Sequence, residues 1–241
     1  MRSELWILVP TAILASTLSG ILGMGGGVLL IATMAAVLSP AVVVPVHGIV
    51  QLASNFTRTL RLVAHVKWRI AALYVPGLVI GVLLALQLYQ DSDLSWFRPA
   101  IGAFVLAFLA WDRWRPKQLQ LPMWVFFPAG IGAGFITLLV GAAGPFLAAF
   151  FLRDDLERRE VIATKAFLQT FGHAMKIPAF LSLGFDYQGE LGLIFPLLGC
   201  VVAGTFLGTW VLGRMPERAF RTAFRWVLGA LALRLLASPW I

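Results

Sequence analysis

The chain has 241 residues, of which 60% are hydrophobic and 12% are charged, and its formal net charge is +8 at pH 7. Soluble domains average about 25% charged residues, so this chain has too few charges to cover a globule that faces water. The composition therefore excludes an ordinary soluble protein and predicts an all-α integral membrane protein, with the lipid bilayer around most of its surface.

Most of the basic surplus is expected in cytosolic loops, because Lys and Arg collect on that side of a membrane, and the remainder could serve an anionic substrate. No basic domain stands outside the apolar segments, which argues against nucleic-acid binding. Cys200 is the one cysteine. It allows neither an internal disulfide nor a thiol metal site, and we expect no metal and no cofactor.

Ten apolar segments follow one another along the chain. They cover residues 5–22, 28–38, 40–57, 70–88, 97–111, 123–140, 146–152, 163–183, 190–212 and 219–237. A full span needs about 20 residues, so the second and seventh segments are too short to cross a membrane. Each of these two follows a break that is rich in glycine or other small residues.

The first break is the run Gly-Met-Gly-Gly-Gly at residues 23–27. If residues 5–38 formed one helix, it would be about 51 Å long against a hydrocarbon core of about 30 Å. We therefore predict a long helix, a glycine tip and a short half-helix, which together form a re-entrant hairpin. The N-terminal segment belongs to this hairpin, so it is interpreted as retained structure rather than a cleaved signal peptide.

The second break falls where the chain repeats itself after a shift of 118 residues. Gly23-Met24-Gly25-Gly26-Gly27 aligns with Gly141-Ala142-Ala143-Gly144-Pro145, without gaps from about residue 18 to about residue 58. Internal duplication in a very apolar chain is typical of membrane transporters. The predicted organisation is a single transmembrane domain with a first repeat at 5–112 and a second at 123–237. Each repeat is a glycine-tipped re-entrant hairpin followed by about three transmembrane helices.

Basic charge changes sides between equivalent connections of the two repeats. The matched pairs are 58–69 with 184–190, 89–98 with 213–221, and the 39–40 turn with 153–160. In every pair one connection is basic and the other is acidic or uncharged, so equivalent loops should lie on opposite faces of the membrane. This pattern predicts inverted repeats with both termini outside. The alternative is a cytosolic N-terminus with 5–38 as one kinked span.

Two polar stripes lie on matched helices of the repeats. In a helix over 40–57, His47, Gln51, Asn55 and Arg58 fall within about 80° of one another. Lys165, Gln169, His173 and Lys176 repeat that spacing in the second copy. One interpretation is packing between helices, with Arg58 and Lys176 reaching an interface. The other is a binding cavity at the repeat interface, and the duplication of the stripe favours it.

The polar groups of this predicted site all favour an anion. The stripes contain amides, histidines, lysines and an arginine, but no carboxylate. The half-helices after the two tips would add free N–H groups and positive dipole ends. The predicted substrate-binding residues are Gly23, Gly25, Gly26, Gly27, His47, Gln51, Asn55, Gly141, Gly144, Pro145, Lys165, Gln169 and His173. Charge or proton coupling is assigned to His47, His173, Arg58 and Lys176, since no acidic residue lies well inside a span.

Enzymatic functions are not supported by the motifs. The chain contains no Walker-type phosphate loop, no His-Glu-x-x-His and no Gly-x-Ser-x-Gly. We therefore expect a secondary transporter or facilitator for a small anion, working by alternating access between the repeats. The alternatives are an anion channel and a membrane-embedded enzyme or assembly subunit.

The duplicated tips and the layout of the whole chain resemble the TauE/SafE family of sulfite and organosulfonate exporters. The resemblance rests on Gly-Met-Gly-Gly-Gly at 23–27 and Gly-Ala-Ala-Gly-Pro at 141–145. It implies a multi-pass protein of the bacterial inner membrane that exports sulfite, a sulfonate or a related sulfur anion. It also implies that the two tips line the substrate site.

Overall fold

The computed structural model describes residues 2–23, 25–90, 96–114, 121–153, 155–211, 226, 229–230 and 232–237. Within these residues the chain is helical and contains no strand, so the all-α prediction is confirmed. The helices are α1 Leu5–Leu22, α2 Gly26–Val37, α3 Pro40–Leu62, α4 Trp68–Gln90, α5 Phe97–Trp114, α6 Phe126–Leu139, α7 Gly144–Phe150, α8 Arg158–Ser182 and α9 Leu191–Val211. Short 3₁₀ turns at Val63–His65 and Met123–Val125 precede α4 and α6.

Several predicted boundaries are wrong by a few residues. Helix α3 continues to Leu62, so Arg58 and Arg61 lie in the helix and not in the connection that follows it. Helix α8 begins at Arg158, because Glu157 and Glu160 form a capping box that starts the helix early. Other predictions fall outside the described residues. These are the 213–221 connection with Arg214, Arg218 and Arg221, the acidic pair Asp91 and Asp93, residues 115–118 of the linker, and most of 219–237.

Both predicted helix breaks are present. Gly23 and Gly25 separate α1 from α2 with φ angles of 70° and 92°, and Gly141 precedes α7 with a φ of 92°. Side chains disfavour this left-handed backbone, which explains why glycine occupies these positions. The half-helices begin two residues earlier than predicted, at Gly26 and Gly144, and α7 has only seven residues.

Helices of the first half pack against helices of the second half. Each contact has an equivalent in which every helix is replaced by its counterpart in the other half. Helix α1 packs on α9, and α6, its counterpart in the second half, packs on α4. Helices α3 and α8, which are also counterparts, pack against each other. Helix α3 contacts α9 just as α8 contacts α4. The polar stripes therefore lie on the central helix pair.

Small residues at a four-residue spacing bring the paired backbones together. A Cβ atom added to Gly77 or Gly81 of α4 would meet backbone oxygen atoms of α6, and one added to Gly130 or Gly134 would meet backbone oxygen atoms of α4. The α1–α9 pair uses Ser16, Gly20, Gly204 and Gly208 in the same way. In lipid, close approach of this kind replaces the hydrophobic driving force between helices.

The outer surface is apolar over long helices. Helices α4, over Trp68–Tyr89, and α9, over Leu191–Trp210, are long and apolar enough to cross a membrane. Leu5–Ile21, Gly26–Val37 and Met123–Leu139 are shorter apolar helices. Leu83, Leu84 and Leu88 of α4 are exposed, as are Phe206 and Trp210 of α9. This surface suits contact with acyl chains.

Ion pairs and hydrogen bonds join the connections between helices in two separate groups. In the first group, Lys67 pairs with Glu160, and the Lys67 backbone N–H donates to Thr164 Oγ1 at 2.9 Å. Arg153 donates to the carbonyl of Leu121 in the same group.

The second group lies around the N-terminus and the α8–α9 connection. Arg2 pairs with Glu190 at 2.6 Å. Two further contacts lie at the end of α2, where Arg98 donates to the Leu38 carbonyl and Arg234 to the Ala36 carbonyl, each at 3.3 Å. These contacts therefore join segments that were predicted to share a face of the membrane.

Candidate functional site

The two polar stripes are buried along the central helix pair. On α3, His47, Gln51, Asn55 and Arg58 are each at most 3% exposed. On α8, Lys165, His173 and Lys176 are also at most 3% exposed, and Gln169 is half-buried. Eight polar side chains would not be kept from water at equal positions in both repeats merely to fill space, since each costs free energy unless it is hydrogen-bonded.

A polar cavity lies between the stripes and the two glycine tips. It is lined by Ser19, Gly23, Gly25, Gly27, Val28, His47, Gln51, Asn55, Arg58, Ala142, Gly144, Pro145, Gln169 and His173. None of these residues is acidic. The free volume is about 10 Å³, which is close to the smallest space that holds one water molecule.

Each tip lies against the glutamine of its own repeat. A Cβ atom added to Gly27 would be 3.6 Å from the amide of Gln51, and one added to Gly144 would be 3.1 Å from Gln169 Oε1. The absence of side chains at these positions lets each backbone approach its glutamine closely. The same juxtaposition thus occurs in both halves of the site.

The first stripe forms a chain of hydrogen bonds. Asn55 Nδ2 donates to the Gln51 carbonyl at 2.9 Å, and Arg58 Nη1 donates to Asn55 Oδ1 at 3.0 Å. Arg58 Nη2 reaches Ser54 Oγ at 3.4 Å, and Ser54 shares a 2.8 Å hydrogen bond with Thr205 of α9. These contacts fix the Arg58 guanidinium beside the cavity.

The second stripe contacts its own tip through Lys176. The Lys176 Nζ donates to the Gly141 carbonyl at 2.7 Å. Its aliphatic stem lies over Gly48 of α3, where a Cβ atom would come within 2.9 Å of Lys176 Cδ. Gly48 therefore makes room for a lysine that crosses from α8 to α3. Among the described residues, Arg58, the counterpart of Lys176, bonds to Asn55 and Ser54 and not to the first tip, which His47 contacts instead.

Two histidines from opposite repeats meet inside the site. The His47 and His173 rings are 5.6 Å apart between centroids and are inclined by 74°. The His47 Nε2 is 3.0 Å from the Gly27 carbonyl, which favours a proton on that nitrogen. The pair joins the two repeats at the centre of the cavity.

Three buried nitrogen atoms of the site have no hydrogen-bond partner among the described residues. They are Nδ1 of His47, Nδ1 of His173 and Nε of Arg58. The Arg58 Nε always carries a hydrogen, so it is a free donor. A neutral His47 with its proton on Nε2 has an Nδ1 that accepts, whereas the His173 Nδ1 donates or accepts according to its tautomer. An oxyanion would accept from such donors, whereas a cation would find no carboxylate.

The structure brings most of the predicted site residues together, but not all. Gly26, Gly141, Lys165 and Lys176 do not line the cavity, although Lys165 and Lys176 are buried beside it. Ser19, Val28 and Ala142 line it and were not predicted. Ser19 lies on α1 one turn before Gly23, so its distance in sequence from the glycine tip could have predicted that it lines the cavity. The Ser54–Thr205 contact gave no signal, because it joins helices that are 151 residues apart.

Comparison with known proteins gives two matches. The family described as "Sulfite exporter TauE/SafE" matches residues 8–235. The "Probable inner membrane transporter protein TsaS" of Comamonas testosteroni is 24% identical over 182 residues, which cover 73% of this chain and 74% of that relative. No solved structure matches the chain.

Proposed function

The chain belongs to the sulfite exporter TauE/SafE family of membrane transport proteins, and from this premise we propose that it exports a small oxyanion, sulfite or an organosulfonate. We place it in the bacterial inner membrane as a multi-pass secondary transporter. The relative is named as a probable inner membrane transporter, which supports that location.

The observation that carries this proposal is the buried cavity between the repeats, which offers donors and no carboxylate. Arg58, Gln51 and Gln169 line one small space, and the Arg58 Nε has no hydrogen-bond partner among the described residues. The N-terminus of α2, where Gly25 and Gly27 line the cavity, adds backbone N–H groups at the same place. In this proposal the amides hold the oxygen atoms of the anion, and Arg58 with the buried Lys165 balances its charge.

We propose alternating access as the mechanism. A free volume of about 10 Å³ is too small for a sulfur oxyanion, so the cavity must expand for binding. The paired helices come from both halves, and rocking one repeat against the other would open the cavity on one face at a time. The Lys176–Gly141 contact holds the second tip, and the His47–Gly27 contact holds the first.

The contacts between connections support an inverted arrangement of the two repeats. The N-terminus and the α8–α9 connection meet in one group, whereas the α3–α4 and α7–α8 connections meet in the other. Equivalent connections of the two repeats, 58–69 and 184–190, belong to different groups. We propose re-entrant hairpins as part of this arrangement, in which each half-helix returns the chain to the side where its hairpin began.

Proton coupling is assigned to His47 and His173. They are the titratable rings that meet in the cavity, and each keeps a free Nδ1. A proton taken up with the anion would offset its charge during transport. Flux driven by a pH gradient in the wild type, and its loss when both are replaced by Gln, is the expected outcome.

The decisive experiment is flux in proteoliposomes of the full chain. Sulfite and sulfonate uptake should saturate and show counterflow, with sulfate and chloride tested as competitors. Continuous conductance without counterflow would identify a channel instead. Absence of any flux from correctly inserted protein would favour the membrane-enzyme or assembly-subunit alternative.

A further inference from the structure

A second and larger cavity lies away from the proposed transport site. It is formed where the α3–α4 connection meets the start of the Met123–Val125 turn and the segment before α8. Its volume is about 440 Å³, which is within the range of small-molecule sites. The transport proposal uses none of its residues.

The charged side chains of this cavity are only partly neutralised. Arg153 donates two hydrogen bonds of 2.7 Å to Asp155, which lowers the pKa of that carboxyl and keeps it ionised at neutral pH. Lys67 pairs with Glu160. Arg69 is exposed and has no ion pair with any described residue. One guanidinium therefore faces the cavity with its charge uncompensated.

The rest of the lining is apolar, and the exposed tryptophans on and beside it favour a position at a membrane interface. Ile70 and Met123 contribute to one apolar wall. Trp68 lines the cavity and is 55% exposed, and Trp124, next to Met123, is 66% exposed. Tryptophan is enriched where acyl chains give way to headgroups. A ligand here would meet a cation and an apolar surface together.

We propose that this cavity binds an anionic phospholipid of the surrounding membrane, with its phosphodiester on Arg69 and its acyl chains along the Ile70–Met123 wall. Basic pockets between helices at a membrane face suit such headgroups. A free inorganic anion would gain only one uncompensated charge, because Lys67 and Arg153 are already paired. The lipid gains the apolar contact as well. The proposal needs the membrane location of the family but not the identity of the transported anion.

The test is lipid binding to the purified full chain in detergent, measured by native mass spectrometry. Phosphatidylglycerol and phosphatidylcholine serve as anionic and zwitterionic probes. We expect the wild type to retain phosphatidylglycerol preferentially, and Arg69→Gln to weaken it about fivefold, the usual effect of one interfacial cation. Arg69→Lys should keep most of the affinity.

The matched control is Arg113→Gln, which removes an exposed cation at the end of α5 that does not line the cavity. It should leave phosphatidylglycerol binding unchanged. Equal lipid binding by wild type and Arg69→Gln would overturn the proposal. So would displacement of the lipid by millimolar inorganic phosphate, which would identify a free anion as the occupant. Unchanged melting temperatures exclude misfolding as the cause of any loss.

Discussion

In the proposed function, single side chains decide which ligand the central cavity accepts. The site carries amides, two histidines and an arginine, and its lining contains no carboxylate. Arg58 is the clearest case, because hydrogen bonds to Asn55 and Ser54 hold the guanidinium while its Nε stays free. Such preorganisation lowers the cost of binding an oxyanion, since the donor does not have to be recruited from another partner.

The two glutamines give the first prediction. Gln51→Leu and Gln169→Leu each remove an amide donor from the cavity, and a hydrogen bond to a charged group is worth about 1.5–3 kcal/mol. We expect each variant to lower sulfite or sulfonate flux about tenfold or more without loss of membrane insertion. Proteoliposome flux measures this. Gln87→Leu, at an exposed position of α4, is the matched control and should transport normally. Normal flux in both cavity variants would remove these residues from the site.

Arg58 gives a second prediction, which separates charge from geometry. Arg58→Lys keeps a cation but loses Nε and the planar donor set, so we expect weaker anion binding, seen as a higher KM. Arg58→Met should lower flux further because the buried cation is lost. The concentration dependence of flux distinguishes the two effects. Equal kinetics for wild type and Arg58→Lys would show that only charge matters.

Among the helices, pairing depends on glycines that let backbones touch. Helices α4 and α6 meet through two glycines each, and α1 and α9 use a similar set with one serine. The half-helix tips depend on glycine for a different reason, because Gly23, Gly25 and Gly141 have positive φ angles. A substitution in a helix contact therefore destabilises the protein by steric overlap, whereas a substitution at a tip does so by backbone strain.

Gly130→Ala tests the helix contact. The added Cβ would meet the Tyr74 carbonyl, so α4 and α6 must separate. Overpacking of this kind costs about 1–3 kcal/mol, and the melting temperature in detergent should fall by several degrees. Gly199→Ala is the control, because its Cβ has nothing within 4 Å and alanine suits a helix. An unchanged melting temperature for Gly130→Ala would contradict the packing.

Lys176 tests the second tip. Lys176→Met keeps the stem over Gly48 but loses the hydrogen bond to the Gly141 carbonyl. We expect this tip to move more freely and Ala142→Cys, a buried position beside it, to react faster with a small maleimide. Cys200→Ala provides the thiol-free background, since Cys200 is the one native cysteine. Equal labelling rates with Lys176 and with Met at this position would show that the contact does not restrain the tip.

At the scale of the whole molecule, inverted repeats predict that equivalent loops lie on opposite faces of the membrane. Ala64→Cys and Gln188→Cys place exposed thiols on equivalent connections of the two repeats. In intact cells, a membrane-impermeant maleimide should label Gln188→Cys at once and Ala64→Cys only after permeabilisation. Labelling of both under the same condition would exclude inverted repeats and the mechanism built on them.

Local patterns in the sequence predicted much of this arrangement. Helix breaks followed from the length of residues 5–38, and the buried faces of α3 and α8 followed from the angular spacing of their polar residues. The pairing of α1 with α9 could not be predicted in this way, because it depends on shapes far apart in the chain. The Lys176–Gly141 contact was missed for the same reason. Its acceptor is a backbone carbonyl, and the spacing of side chains in the sequence does not indicate where a carbonyl will lie.

The exchange of first helices between the halves also bears on how the protein is made. Helix α1 leaves the ribosome long before α9, so its Ser16–Gly20 surface must wait in lipid or beside the insertion machinery for its final neighbour. A chain cut after the first half would keep that surface uncovered. We therefore expect helix packing to be completed late in synthesis, when α9 becomes available to pack against α1.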